Sequence, residues 1–349
     1  MKLVGILLSM SMTSAIAAPM VDEAWTGISD PSIMSATFVR NFNQLPLTGK
    51  AGNPAQFWSG DYWALKKGNI NYRWNSHKDK GFKLVSPTRA EVMMMTQDQL
   101  ASLAPSEKYD IFVGRYDYPL KTQVSMLADR RADDWEGICH GWAPATMNHN
   151  EPTPKTLVNP DGIAIPFGSA DIKALISFYY AHGFQVDNTH QMGSRCFKDS
   201  GSRDCKKDLN AGAFHMVLTN RVGIEKVGFI ADLDKGDEVW NHPINGFETR
   251  IEKMVKPGRK HAPGTAQVLL VKTSINYINE TENFWTPVIG TKDQLEEKKK
   301  YEYEIELDSW GNIIGGRWKS SDRPDFLWTK RRPFLYEGNL SRLGELLND

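Results

Sequence analysis

The sequence has no net charge, few cysteines and, beyond its N-terminus, no long apolar run. Lysine plus arginine and aspartate plus glutamate each number 42 among 349 residues. This balance gives no reason to expect a nucleic-acid partner or long-range steering of a charged ligand. Crossing a bilayer takes roughly 18 consecutive apolar residues, and no stretch after the N-terminus approaches that length. We therefore predict no membrane span, and we find no internal repeat.

Aromatic residues are plentiful, by contrast. They make up 11% of the chain and include 11 tryptophans, which favours a well-packed protein over a disordered one. The length is sufficient to bury a full core and predicts two domains or one large domain.

The N-terminus has the pattern of a secretory signal peptide. Lys2 precedes an apolar run over residues 3–8, and Ala15, Ile16 and Ala17 form a small-residue cleavage signal. We predict cleavage after Ala17 and a secreted or periplasmic mature protein.

Three cysteines fit an oxidising compartment. Cys196 and Cys205 lie in a polar loop and are predicted to form a short disulfide. Cys139 is then left unpaired, which is unusual in a secreted protein. The alternative is a disulfide between Cys139 and one of the other two, and that pairing would rule out a catalytic role for its sulfur.

Cys139 follows Gly137 and Ile138 and opens a segment with the character of a short helix. A helix start carries unpaired backbone N–H groups and partial positive charge, so we expect the pKa of this thiol to lie below about 8.5. Trp135 and Trp142 flank it and are expected to keep water from an acyl-enzyme. A nucleophile is the functional interpretation; a buried structural cysteine is the alternative.

A base and its orienting group are predicted further along the chain. His215 enters an apolar run that we interpret as a strand, and a second strand, over residues 227–231, leads to Asp232 and Asp234. Cysteine, then histidine, then an orienting carboxylate or amide is the chain order of papain-like enzymes. Asp232 is the favoured orienting group and Asp234 the alternative.

Four segments of the sequence resemble the transglutaminase elicitor family of plant-pathogenic oomycetes, which has relatives in marine bacteria. The resemblance rests on residues 139–145, 62–63 and 71–74, and above all on residues 239–247, which match the family's short elicitor peptide. It covers roughly residues 55 to 335. It implies a papain-like core, Cys139 as nucleophile and calcium-dependent cross-linking of glutamine to lysine. We also expect Trp240, Asn241 and Pro243 to contact substrate.

The predicted fold class is α+β, with the nucleophile helix packed on an antiparallel sheet. Helices are predicted over residues 118–128 and 169–183, with a capped helix start at Thr96 and Ser169 as an N-cap. Strands are predicted over 216–219, 227–231, 267–277, 300–308 and 313–318, with a hairpin over 158–167. The predicted parts are a signal peptide (1–17), an N-terminal extension that could serve as a propeptide (18–128), a catalytic domain (129–335) and a tail (336–349).

Calcium is the one cofactor predicted, and it comes from the family resemblance. Asp232, Asp234, Asp237 and Glu238 form an acidic group, and oxygen ligands of this kind suit Ca²⁺. Asp234 and Asp237 are the candidate ligands, and solvated loop charges are the alternative.

The predicted function is acyl transfer from glutamine to lysine through a Cys139 thioester, on protein substrates with accessible glutamine and lysine side chains. A cysteine protease or deamidase would use the same residues with water as acceptor. A non-catalytic secreted binding protein of the same fold is the third alternative.

Overall fold

The computed structural model describes residues 25, 27–35, 38–78, 80–83, 85–183, 189–195, 209–233 and 236–348. The chain is a mixed α/β protein built around an antiparallel sheet, as the sequence predicts. In the described ranges no helix is long and apolar enough to cross a membrane.

The helices have these bounds: α1 Arg89–Met94, α2 Gln97–Ala101, α3 Pro105–Phe112, α4 Pro119–Leu127, α5 Cys139–Asn148, α6 Ser169–Phe178 and α7 Ala211–Leu218. The strands are β1 Thr48–Lys50, β2 Lys155–Val158, β3 Ala164–Phe167, β4 Thr189–Gly193, β5 Phe229–Asp232, β6 Asn241–Val255, β7 Gln267–Ile278, β8 Glu296–Leu307, β9 Ile313–Trp318 and β10 Phe326–Lys330.

Local signals explain several helix starts. Thr96 caps α2 through a capping box, in which its hydroxyl accepts from the Gln99 N–H and the Gln99 side chain accepts from the Thr96 N–H. The capped start predicted at this residue is confirmed. The long helix predicted over 169–183 is also confirmed, with α6 followed by a π-helical turn over Tyr179–Gly183. Its N-cap is Gly168, not Ser169.

One predicted strand is wrong. Residues 211–218 form the helix α7, which continues into a π-helical segment over Thr219–Glu225. Asn210 begins the helix, because its side-chain oxygen accepts from the N–H of Gly212 at 2.8 Å and of Ala213 at 3.3 Å. Every residue of α7 is buried. An apolar run that is buried on all sides lacks the periodicity that separates a helix from a strand.

The main sheet has the strand order β4-β10-β5-β6-β7-β8-β9, and β1 pairs with β6. All of these pairs are antiparallel, and β2 and β3 form the predicted hairpin apart from it. The sheet divides two buried clusters, because successive side chains of a strand point to opposite faces. Ile230 and Trp328 belong to the cluster that contains α5 and α6. Ala231 and Leu327 belong to the cluster that contains α7.

The first cluster joins distant parts of the chain. It contains Phe57, Leu120, Trp142 and Leu347, so side chains of all three predicted parts after the signal peptide share one core. The domain boundaries themselves stay predictions.

Candidate active site

Cys139 is the first residue of α5, and its position is fixed by close packing of the backbone. The N–H groups of Gly141 and Trp142 donate to the Ile138 carbonyl, which starts the helix, and the Ile138 N–H donates to the Tyr62 carbonyl at 2.6 Å. Gly137 also lies against Tyr62, where a Cβ atom would come within 2.4 Å of the carbonyl oxygen. Only glycine allows this approach, so Gly137 is needed to place the Cys139 thiol.

The Cys139 sulfur contacts the start of β6. The Asn241 side-chain amide donates to Sγ at 3.4 Å, and the thiol donates to the Val239 carbonyl at 3.8 Å. Asn241 is in turn oriented by Trp328, whose indole N–H donates to the amide oxygen at 2.8 Å. Cys139 is a free thiol and is buried. The described part of the chain therefore presents a free thiol with an oriented hydrogen-bond donor.

The expected lowering of the thiol pKa is wrong. Burial raises the pKa of Cys139, and the hydrogen bonds from Asn241 and from the His140 backbone oppose this only in part. Because the Cys139 residue is only 5% exposed, loss of hydration outweighs the favourable helix start. Proton transfer from the thiol must accompany its reaction.

His215 does not lie beside Cys139, so the predicted pairing of these two residues is wrong. His215 is on α7, in the cluster on the opposite face of the sheet from α5. Its Nδ1 lies 2.8 Å from the Tyr303 hydroxyl, and its ring stacks on Phe42 with 5.7 Å between ring centroids. Burial lowers the pKa of His215 to about 3. This histidine is a neutral core residue.

The predicted orienting and metal-binding carboxylates are placed as follows. Asp232 is buried at the end of β5 and accepts from the Trp240 N–H at 3.4 Å, and Asp237 is exposed. Asp234 lies outside the described residues. Within the described ranges no three or more histidine, cysteine, aspartate or glutamate side chains are grouped as a metal site would require. The described residues therefore do not fit a calcium site, and calcium dependence stays a prediction.

The predicted substrate-contacting residues differ in exposure. Trp135 and Trp240 are both half-buried. Trp240 lies edge-on to Tyr62, with 5.7 Å between ring centroids. Trp142 is fully buried, and its expected role in keeping water from an acyl-enzyme stays a prediction. Pro243 is also buried, paired in β6 opposite Ile230. Asn241 is buried and contacts the thiol itself.

Two carboxyl groups near the thiol were missed in the sequence. Asp61 accepts from the Trp63 N–H at 2.8 Å and from the Asn283 amide at 2.5 Å, and burial raises its pKa. Glu280 follows the end of β7, and burial together with nearby Asp61 raises its pKa to about 8. Neither residue stands in a recognisable motif. The one available signal was that Asp61 directly precedes the Tyr-Trp pair at 62–63 that carries the family resemblance.

The predicted disulfide cannot be followed in the structure, because Cys196 and Cys205 lie outside the described residues. The signal peptide also lies outside them. Both stay predictions.

A family model described as transglutaminase elicitor matches residues 126–335, which is more than half of the chain. The chain belongs to the transglutaminase elicitor family. Among solved structures, this member of the family is similar to the crystal structure of the GP42 transglutaminase from Phytophthora sojae. The TM-score is 0.69 at 24% sequence identity, with 92% of this chain and 97% of that chain covered. No curated protein matches the chain. The likeness to GP42 shows the fold, and the family match includes Cys139 and Asn241.

Proposed function

We propose that this protein is a secreted protein-glutamine γ-glutamyltransferase, which cross-links glutamine and lysine side chains through a thioester on Cys139 in a papain-like core. The observation that carries the proposal is the free Cys139 thiol at the start of α5, contacted by Asn241. The family match and the likeness to a transglutaminase fold support it.

In the first half-reaction the sulfur attacks the side-chain carbonyl carbon of a glutamine. A carbon–sulfur bond forms, the carbon–nitrogen bond breaks, and the thiol proton leaves with the nitrogen as ammonia. Asn241 positions the sulfur and favours its negative charge as that charge develops. The N–H groups at the start of α5 that have no partner within the helix are the candidate donors to the carbonyl oxygen.

In the second half-reaction a lysine amine attacks the thioester. A carbon–nitrogen bond forms, the carbon–sulfur bond breaks, and one proton of the amine returns to the sulfur. His215 has no role in either step, because it lies across the sheet from the thiol. Asp232 is likewise not assigned as its partner.

The test is incorporation of a labelled primary amine into a glutamine-containing peptide. We expect ammonia release and a labelled amide with the wild-type protein, and neither product with Cys139→Ala at the same folded fraction. Conversion of the glutamine to a glutamate residue, or cleavage of the peptide, without amine incorporation would identify a hydrolase instead. Repeating the assay with added calcium and with a chelator tests the calcium dependence that the resemblance implies.

A further inference from the structure

The thiol needs an acid or base partner other than His215, because burial raises the pKa of Cys139 and His215 lies across the sheet. Backbone hydrogen bonds bring three short segments together there. The Thr281 N–H donates to the Gly60 carbonyl at 3.0 Å, and the Ile138 N–H donates to the Tyr62 carbonyl at 2.6 Å. The segment over residues 60–62 therefore joins Glu280, by way of Thr281, to Cys139, by way of Ile138.

The sheet places Glu280 on the same side. Strands β6 and β7 pair Ile244 with Tyr277, and β7 ends at Ile278. The same register extended by three residues would set Glu280 opposite Asn241. Residues opposite each other in an antiparallel pair face the same side of the sheet. Asn241 contacts the Cys139 sulfur, so this extended register assigns Glu280 to the side of the sheet that carries the thiol.

The environment of Glu280 differs from that of an ordinary surface glutamate. Its Oε1 atom is buried and has no hydrogen-bond partner among the described residues. Its charge raises the pKa of both Cys139 and Tyr62. The charge of Asp61 in turn helps to raise the pKa of Glu280. Two carboxyl groups that repel each other gain most from a cation between or beside them.

We propose that Asp61 and Glu280 form the subsite for the acceptor ammonium group and that Glu280 takes its proton. This inference rests on the proposed function and names the group that selects a cationic primary amine over water. The ammonium R–NH₃⁺ transfers one proton to the Glu280 carboxylate and becomes the amine that attacks the thioester carbon. As the carbon–sulfur bond breaks, a second proton passes from nitrogen to sulfur, and Glu280 releases its proton to solvent.

The protonation behaviour of Glu280 suits this role. A group with a pKa of about 8 accepts and releases protons near neutral pH. The titratable groups whose charges interact with Glu280 are Asp61, Tyr62 and Cys139. Lys67 and Glu282 act in turn on Asp61, Lys67 lowering its pKa and Glu282 raising it. An approaching ammonium favours the ionised form of Glu280, because opposite charges lower the pKa of a carboxyl group. Water carries no charge, so it gains no such electrostatic attraction to Glu280.

The experiment compares a cationic acceptor, cadaverine, with hydroxylamine, which is neutral at pH 7.5. With Glu280→Gln we expect kcat/KM for cadaverine to fall about 100-fold, as for loss of a general base, while the hydroxylamine reaction changes less than threefold. Glu252→Gln is the matched control, since it removes the same charge from an exposed side chain on β6, 11 residues along the strand from Asn241. It should change both reactions less than twofold. The Cys139 alkylation rate and the melting temperature report whether each variant is folded.

The outcomes separate the two proposals. If the wild-type protein reacts with neither acceptor, the proposed function fails and this inference fails with it. If the wild-type protein is active and folded Glu280→Gln loses both reactions equally, or neither, the assignment of Glu280 to the acceptor ammonium is overturned while the transferase assignment stands.

Discussion

At the scale of single residues, the reactivity of the protein depends on the groups around the Cys139 sulfur. Cys139 is buried, and burial raises the pKa of its thiol. The Asn241 amide and the His140 backbone N–H act in the other direction. Asn241 is held in place by Trp328. The reactivity of the thiol therefore reflects hydrogen bonds from neighbouring residues more than the helix start alone.

Replacing Asn241 with alanine should make the thiol less acidic. The substitution removes the donor to Sγ and with it a stabilisation of the thiolate of roughly 1.5–3 kcal/mol, so alkylation of Cys139 by iodoacetamide at pH 8 should slow by about tenfold or more. The measurement is the alkylation rate as a function of pH. Asn245→Ala, a buried asparagine on the same strand that donates to Glu296 instead, is the control. Equal alkylation rates for wild type and Asn241→Ala would contradict this assignment.

His215 should affect acid stability but not catalysis. Its pKa falls from 6.5 to about 3 on folding because the ring is buried, so the unfolded state binds a proton that the folded state does not. The contribution of this pKa difference to the free energy of unfolding is fully present above pH 6.5 and is lost as the pH falls towards 3. The loss is about 2 kcal/mol at pH 5.

Urea unfolding of wild type and His215→Gln at pH 7 and pH 5 measures this effect. The loss of stability between the two pH values should be about 2 kcal/mol smaller in the variant. Amine incorporation per folded molecule should stay within twofold of wild type. A variant that folds normally but loses all incorporation would show that His215 acts at the site after all.

At the scale of elements, α5 is held against α6 by a close backbone approach. A Cβ atom at Gly141 would lie 2.0 Å from the Ser177 carbonyl oxygen, so the two helices can pack at this distance only with glycine there. The same helix carries Cys139 at its first position. Helix packing and thiol placement are therefore coupled.

Gly141→Ala should separate the two helices and destabilise the protein by about 3 kcal/mol or more, at the upper end for overpacking of a core. Urea unfolding measures the change. Gly258→Ala is the matched control, because a Cβ there meets nothing within 4 Å and its backbone needs no left-handed conformation. The control should change stability by less than about 0.5 kcal/mol. Similar effects of both substitutions would disprove the close packing of α5 on α6.

Helices and strands with a clear capping signal or a regular pattern of polar and apolar residues could be predicted from the sequence. Those without such a signal could not. The alternating strand at residues 300–308, the capped start at Thr96 and the apolar face of α6 all follow from local signals. α7 has no polar face, so its periodicity carries no information. Asp61 and Glu280 lie on loops far apart in sequence, and only the sheet register and the backbone bonds of residues 60–62 bring them to Cys139.

At the scale of the whole molecule, the C-terminal residues complete the core that supports α5. Leu340, Leu343, Leu346 and Leu347 are buried in the same cluster as Trp142, although the family match ends at residue 335. Burying four leucines contributes about 6–12 kcal/mol, which is comparable with the whole stability of a typical domain, about 5–15 kcal/mol.

Deletion of the chain from residue 337 onward should therefore prevent folding. Circular dichroism and limited proteolysis should show loss of cooperative unfolding and rapid digestion. Asn339→Ala, which changes an exposed side chain in the same segment, should leave the melting temperature within about 2 °C of wild type. A truncated protein that melts cooperatively at the wild-type temperature would show that the tail is not part of the core.

Mass spectrometry of the protein mixed with a glutamine peptide, in the absence of any amine acceptor, tests directly whether Cys139 forms the thioester. We expect an adduct that adds the mass of the peptide minus ammonia to the protein, maps to Cys139 and is released by hydroxylamine. Cys139→Ala should form no adduct. An adduct on another residue, or turnover of the peptide by Cys139→Ala, would contradict this expectation.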